Sequence, residues 1–147
     1  MSYKSFTLIE IIIVIVIVST LLLIVIFAIN PGERMARARD DQREIHLNAI
    51  LHAVEQKMFL DKGWLNCDPL PTQPKTIGSH TDEYNLYSCI IPEFLSTPVF
   101  DPKFGYFVSL SDYYTNYQIW HNPSTGKVSL RVAPNGQGET RAIQVGE

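Results

Sequence analysis

Apolar residues recur along this chain in three different rhythms, and each rhythm predicts a different element. Residues 11–29 read IIIVIVIVSTLLLIVIFAI, with no charge, glycine or proline, and from Phe6 onward Glu10 is the one ionisable residue in the run. As a helix, residues 6–29 extend about 36 Å, against a hydrocarbon core of about 30 Å. The β-branched stretch would suit a strand in water. In lipid a lone strand leaves its backbone groups unpaired, so the run is expected to be a membrane-spanning helix. After Pro31 and Gly32 the rhythm changes: Leu47, Ile50, Leu51, Val54 and Met58 recur at three- and four-residue steps, one apolar face of a helix that packs on a core. Pro31 lacks a backbone donor and Gly32 weakens a helix, so a hinge is expected at residues 29–32.

From Asp61 onward the helical period is lost and a period of two takes over. Phe104, Tyr106, Val108 and Leu110 alternate with smaller or opposite-facing residues, as do Tyr117, Ile119 and His121, and then Val128, Leu130 and Val132. The sequence NPSTG at residues 122–126 is turn chemistry, and Asn135-Gly136 offers a further turn before residues 142–145. The expected fold is α+β: a long N-terminal helix, half membrane-spanning and half amphipathic, with the amphipathic half packed on a small antiparallel β-meander.

Composition narrows the function. The net charge is −3, and the arginines of residues 34–43 alternate with Glu33, Asp40, Asp41 and Glu44, so no basic patch advertises a nucleic-acid partner. Glu33 and Arg37, like Arg37 and Asp41, stand four apart and can pair within a helix, at about 0.3–0.5 kcal/mol each. Catalytic signatures are missing: no nucleophile elbow, phosphate-binding glycine loop or dinucleotide fingerprint occurs. His46 and His52 do not share a helix face, and Cys67, His80, Cys89 and His121 lack the close spacing of a zinc site, so no metal and no cofactor are expected. Asp101, Asp112 and Asn116 offer oxygens, but not at the spacing of a compact calcium loop; a solvated turn is the expected reading. Of Tyr113, Tyr114, Tyr117 and Trp120, alternation places at least half in the core.

The two cysteines, Cys67 and Cys89, lie beyond the apolar run and suit one disulfide on an oxidising side, or two unpaired thiols. A bond there would add about 3 kcal/mol by chain entropy. The apolar run exceeds the roughly 7–15 residues of a cleaved signal and no small-x-small site follows it, so it is expected to be retained. Lys4 is the basic residue before the run, whereas Arg34, Arg37, Arg39 and Arg43 follow it; a bare count therefore favours an outside N-terminus.

Glu10 costs roughly 2.5–3.5 kcal/mol at a bilayer centre and less near an edge. Either it reaches the headgroups, or it meets a cation from another chain. Its neighbours are Lys4-Ser5-Phe6-Thr7-Leu8-Ile9-Glu10, and here the sequence resembles the type IV pilin superfamily, whose members share a short basic leader, Phe, Thr-Leu-Ile-Glu and a long apolar helix. The resemblance implies a cytoplasmic leader of residues 1–5, cut by prepilin peptidase between Ser5 and Phe6, with methylation of the new Phe6 amine. Ser5 stands where the family usually has Gly. It further implies a membrane and filament-core helix at 6–30, its amphipathic continuation at 31–60 and an extracytoplasmic globular part at 61–147. Glu10 is then implied to pair with the Phe6 amine of an adjacent subunit, which cleavage creates one helical turn away. Residues 97–106, TPVFDPKFGY, are also similar to pilins and pseudopilins, in which an Asp-Pro turn leads into the first strand. The expectation is a non-catalytic, single-pass cytoplasmic-membrane protein with a cytoplasmic N-terminus. Its partners would be the lipid bilayer, prepilin peptidase, a pilus or secretion assembly platform and other copies of itself in a surface filament or pseudopilus. A minor pilin or a type II secretion pseudopilin is the alternative within that class, and a monomeric, signal-anchored extracytoplasmic binding domain the alternative outside it.

Overall fold

Thr7 starts the first helix in the computed structural model, which describes residues 6–63, 65, 67–133 and 138–146. Its backbone is extended (φ −80°, ψ 148°) and its Oγ1 accepts the Glu10 N–H at 3.4 Å, an N-cap that satisfies one of the helix's orphan donors. The helix, α1 (Leu8–Ile29), ends at Asn30, which turns left-handed (φ 44°, ψ 70°); asparagine is among the few side chains that tolerate this. Pro31 then opens α2 (Pro31–Leu60) at the first helical position, where its missing N–H costs nothing. The long helix is therefore interrupted at Asn30, within the 29–32 stretch and immediately before Pro31 and Gly32.

The chain divides into two units, Met1–Met35 and Ala36–Glu147. In the second, α2 buries Asp40, Arg43, Leu47, Ile50, Leu51, Ala53 and Val54, all on one stripe at helical spacing. The apolar members share a core with Ile77, Tyr87, Ile90, Tyr113, Tyr117, Ile119 and Leu130. Ile77 comes from β1 (Lys75–Gly78), Tyr87 and Ile90 from the short helix α3 (Tyr87–Ile90), and the others from the sheet strands that follow. The remaining strands are β2 (Tyr106–Ser109), β3 (Asp112–His121), β4 (Val128–Val132) and β5 (Gln144–Val145). Strands β2 to β5 form the expected antiparallel meander, with Tyr117 opposite Val132 and His121 opposite Val128. Strand β1 is an addition to it: Tyr114 pairs with Gly78 on one side and Tyr106 on the other, so β1 and β2 flank β3. Asn116, left-handed at φ 61°, marks where β3 changes partner from β2 to β4. The Asn135-Gly136 turn lies outside the described residues.

Between Cys67 and Cys89, which form a disulfide with Cα atoms 6.1 Å apart, the chain is more ordered than its prolines suggest. Besides β1 it holds Tyr84, whose backbone bridges Ile77 in parallel. The ring of Tyr87 stacks on that of Tyr113 at 4.8 Å. The alternation through residues 104–110 also reads differently in three dimensions. Its even-numbered residues face solvent, Val108 being 71 % exposed, while Phe107, paired with the buried Tyr113, packs on the core; a register shift between Phe107 and Ser109 then breaks the pairing of this strand.

Candidate functional site

A buried ionic cluster joins α2 to two distant loops. Arg43, 1 % exposed, reaches in three directions: Nε and Nη2 donate to Asp101 Oδ2 and Oδ1 at 2.7 and 3.1 Å, Nη1 to Asp40 Oδ1 at 2.7 Å, and Nη2 to Glu139 Oε1 at 3.2 Å. Asp40, fully buried, accepts the Glu139 N–H, the Thr140 N–H and the Thr140 hydroxyl. Asp101, also fully buried, accepts the backbone N–H groups of Lys103 and Phe104 and the Asn116 amide. Arg39 closes the outer side with a fork onto Glu139, two bonds of 2.6 Å. Lys103 adds a contact to Glu139 at 3.4 Å, so three cations meet three carboxylates.

Electrostatics follow from that geometry. Burial disfavours the charge on Asp40, but hydrogen bonds from the Glu139 and Thr140 backbone and from Arg43 outweigh it and hold the carboxyl well below its ordinary range. Burial opposes the Asp101 charge in the same way, and the Arg43 bond with the two backbone donors wins, again lowering its pKa. The Arg39 fork draws Glu139 down to about 2. Arg43 is held above its ordinary value, burial being overcome by Asp101 and Asp40. Among the described residues no buried side-chain nitrogen or oxygen lacks a partner. The cluster is an internal clamp whose buried members are all hydrogen-bonded to one another or to nearby backbone.

This corrects the solvated-turn expectation for Asp101. It is a core residue, and of the three calcium-type oxygens only Asn116 lies beside it, presenting its amide nitrogen at 3.3 Å. Asp112 instead meets Tyr106 at 3.3 Å. No group of three or more histidine, cysteine, aspartate or glutamate side chains among the described residues is placed to hold a metal. His46 is not a surface residue either: its Nδ1 lies 3.0 Å from the Tyr117 hydroxyl, and burial lowers its pKa.

The first unit has the opposite character. From Leu8 to Phe27 every large apolar side chain of α1 is 47–82 % exposed, on all faces of the helix. A helix apolar all round belongs in lipid or among other helices. The stretch Leu8–Ala28 is long and apolar enough to cross a membrane, and its 21 residues rise about 32 Å. The mid-span Thr20 hydroxyl is satisfied within the helix by the Ile17 carbonyl at 2.8 Å. Glu10 lies exposed in the first turn, at the end where the helix dipole favours a negative charge, and Phe6 precedes the cap, also exposed. Ser5, on the other side of the Ser5–Phe6 bond, lies outside the described residues.

A family model described as the prokaryotic N-terminal methylation motif matches residues 1–26 of this chain. The chain carries the type IV pilin and pseudopilin leader. No curated protein and no solved structure matches it. The leader motif thus covers Ser5, Phe6 and Glu10, and the arrangement behind it, an apolar helix, a second helix and a five-stranded antiparallel sheet, is α+β and pilin-like. The clamp around Arg43 lies beyond the matched residues. One signal for it was present in the sequence: Asp40 and Arg43 continue, at three- and four-residue steps, the stripe that runs on through Leu47 and Ile50.

Proposed function

We propose that this chain is a structural subunit of a type IV pilus-like filament, made as a precursor and built into the polymer through α1. In this reading prepilin peptidase cuts between Ser5 and Phe6, and the freed Phe6 amine is methylated. The chain waits in the cytoplasmic membrane with its N-terminus inside and the sheet-bearing unit outside. A membrane assembly platform then transfers it to a pilus or pseudopilus. Pro31 and Gly32, next to the left-handed Asn30, serve as the hinge between the membrane helix and the rest of the chain.

The observation that carries the reading is a helix of spanning length, apolar and exposed on every side, with one acid in its first turn, beneath a methylation leader. An apolar helix in lipid needs no such acid, which costs free energy near hydrocarbon unless a cation meets it. The amine of Phe6 on a neighbouring subunit is that cation. The same motif favours a structural pilin-type protein over an enzyme.

Two measurements on full-length protein co-expressed with a prepilin peptidase test it. Mass spectrometry is expected to find a mature chain beginning at methylated Phe6, and an intact Met1 or Ser2 N-terminus counts against processing. Electron microscopy of cells with an assembly platform is expected to show fibres containing the chain. A membrane-bound monomer that never assembles supports the signal-anchored alternative instead.

A further inference from the structure

Among the described residues of the second unit, two apolar patches face solvent, and they differ in kind. One is the row on and beside β2: Phe104 56 %, Tyr106 40 %, Val108 71 % and Leu110 40 % exposed. The stretch FGYFVSL around it has no charge and no proline, and β2 pairs only with β3, so it lacks the charges and prolines that ordinarily blunt an edge strand. The other is the last turn of α2, where Phe59 is 85 % and Leu60 64 % exposed.

We infer that the residue 104–110 row of one copy docks on the Phe59–Leu60 end of α2 in a second copy. The inference rests on the filament reading and names the contact between neighbouring second units within it. Three observations point to a second copy rather than another occupant. An open helical polymer needs two unlike surfaces on each subunit, since a patch that meets itself closes a dimer, and this unit displays two unlike apolar patches. Their flanking charges are complementary. The row has Lys103 over the Phe104 ring at one end and the half-exposed Asp112 at the other, while Phe59 is preceded by the exposed Glu55 and followed by the exposed Lys62. The size also fits. The row amounts to an apolar patch on the order of 300–400 Å², about half of the ~800 Å² that each side of a stable interface buries. Such a contact is too small to hold free molecules together. It becomes effective once α1 has brought neighbouring copies together at high local concentration.

The test uses the full chain in cells with an assembly platform. Val108→Cys and Phe59→Cys, both at exposed positions, are combined in one chain and filaments are treated with a mild oxidant. A ladder of covalent dimers, trimers and longer species is expected on a non-reducing gel, with neither single variant cross-linking. In a second arm, Val108→Glu is expected to lower filament yield about tenfold, and Phe59→Lys in the same chain to restore it. Normal filaments without a ladder, cross-linked dimers from Val108→Cys alone, or a Val108→Glu chain that polymerises fully overturns the docking while leaving the filament reading intact. If the unsubstituted chain forms no filament at all, both fall.

Discussion

Replacing Arg43 by Met keeps much of the side chain's volume and removes its charge. The arginine donates four hydrogen bonds of 2.7–3.2 Å into Asp40, Asp101 and Glu139. Without it Asp40 keeps the Glu139 and Thr140 donors, and Asp101 keeps Lys103, Phe104 and Asn116, so neither carboxylate loses all its bonds. What they lose is the buried guanidinium between them. Breaking a buried pair from one side costs about 3–5 kcal/mol, out of roughly 5–15 for a whole domain. The variant should therefore be marginal at pH 7 in denaturant melts of the full chain in detergent, followed by near-ultraviolet circular dichroism. The pH dependence supplies the sharper test. In the wild type the folded-state pKa values of Asp40, Asp101 and Glu139 are depressed, so their contribution is present above the unfolded values of about 4 and is lost as pH falls through the folded ones. Between pH 7 and 5 these three carboxylates leave its stability unchanged, and the decline expected there comes from His46, whose lowered pKa lets the unfolded chain take up a proton first. In Arg43→Met the Asp101 pKa rises, because its leading bond against burial is gone, whereas Asp40 keeps the Glu139 and Thr140 donors that do most to hold its carboxyl down. The variant therefore has less of this stability to give up as pH falls below about 4, and its acid limb should be shallower than that of the wild type. A variant within about 1 kcal/mol of wild type at pH 7, with the same acid limb, refutes the clamp.

Other expected outcomes test the remaining parts. Cys67→Ser opens the loop closed by the disulfide across a separation of 22 residues and should cost about 3 kcal/mol in the same melt. Leu47→Ala empties a fully buried site on α2 and should cost about 2–5 kcal/mol, unlike Ile45→Ala, which lies 67 % exposed on the same helix and should change the midpoint little. Glu10→Ala should leave membrane insertion unchanged by carbonate extraction while abolishing filaments in microscopy; normal filaments would remove the Glu10–Phe6 pairing. Thiol labelling of intact cells should reach Cys67 and Cys89 only after reduction, and labelling that requires lysis reverses the proposed orientation.

Sequence reading succeeded where a single periodicity decides an element. The run from residue 11 to 29 has one solution in lipid, and the Leu47–Ile50–Val54 stripe has one buried face whatever it packs against. It failed where burial depends on a partner remote in sequence. Asp40 and Arg43 look like surface charges because charged residues are rarely buried unpaired, and their partners Asp101 and Glu139 lie 58 to 99 residues away. Strand β1 has four residues after Pro74, too few to show a period, and takes its order from β3 and Tyr84. At residues 104–110 the alternation was legible but its direction was not. Period two separates the faces of a strand without saying which is inside, and at a bulged edge the larger set of apolar residues faced outward.

The arginines after α1 join these threads. Arg34, Arg37, Arg39 and Arg43 count against a cytoplasmic N-terminus because basic residues flanking a span tend to stay inside, and nearby acids do little to cancel them. That tendency concerns residues whose identity is otherwise unconstrained. Arg43 is fixed by the clamp, where lysine has neither the geometry nor the number of donors to satisfy Asp40, Asp101 and Glu139 together. Arg39 is fixed by its two-bond fork on Glu139. Half of the opposing count is thus required by the folded second unit, wherever that unit resides. What remains, Arg34 and Arg37 against Lys4, is a weak asymmetry. The leader, whose resemblance to type IV pilins implies a cytoplasmic N-terminus, and a disulfide, which persists in oxidising compartments, both favour the proposed orientation from independent chemistry.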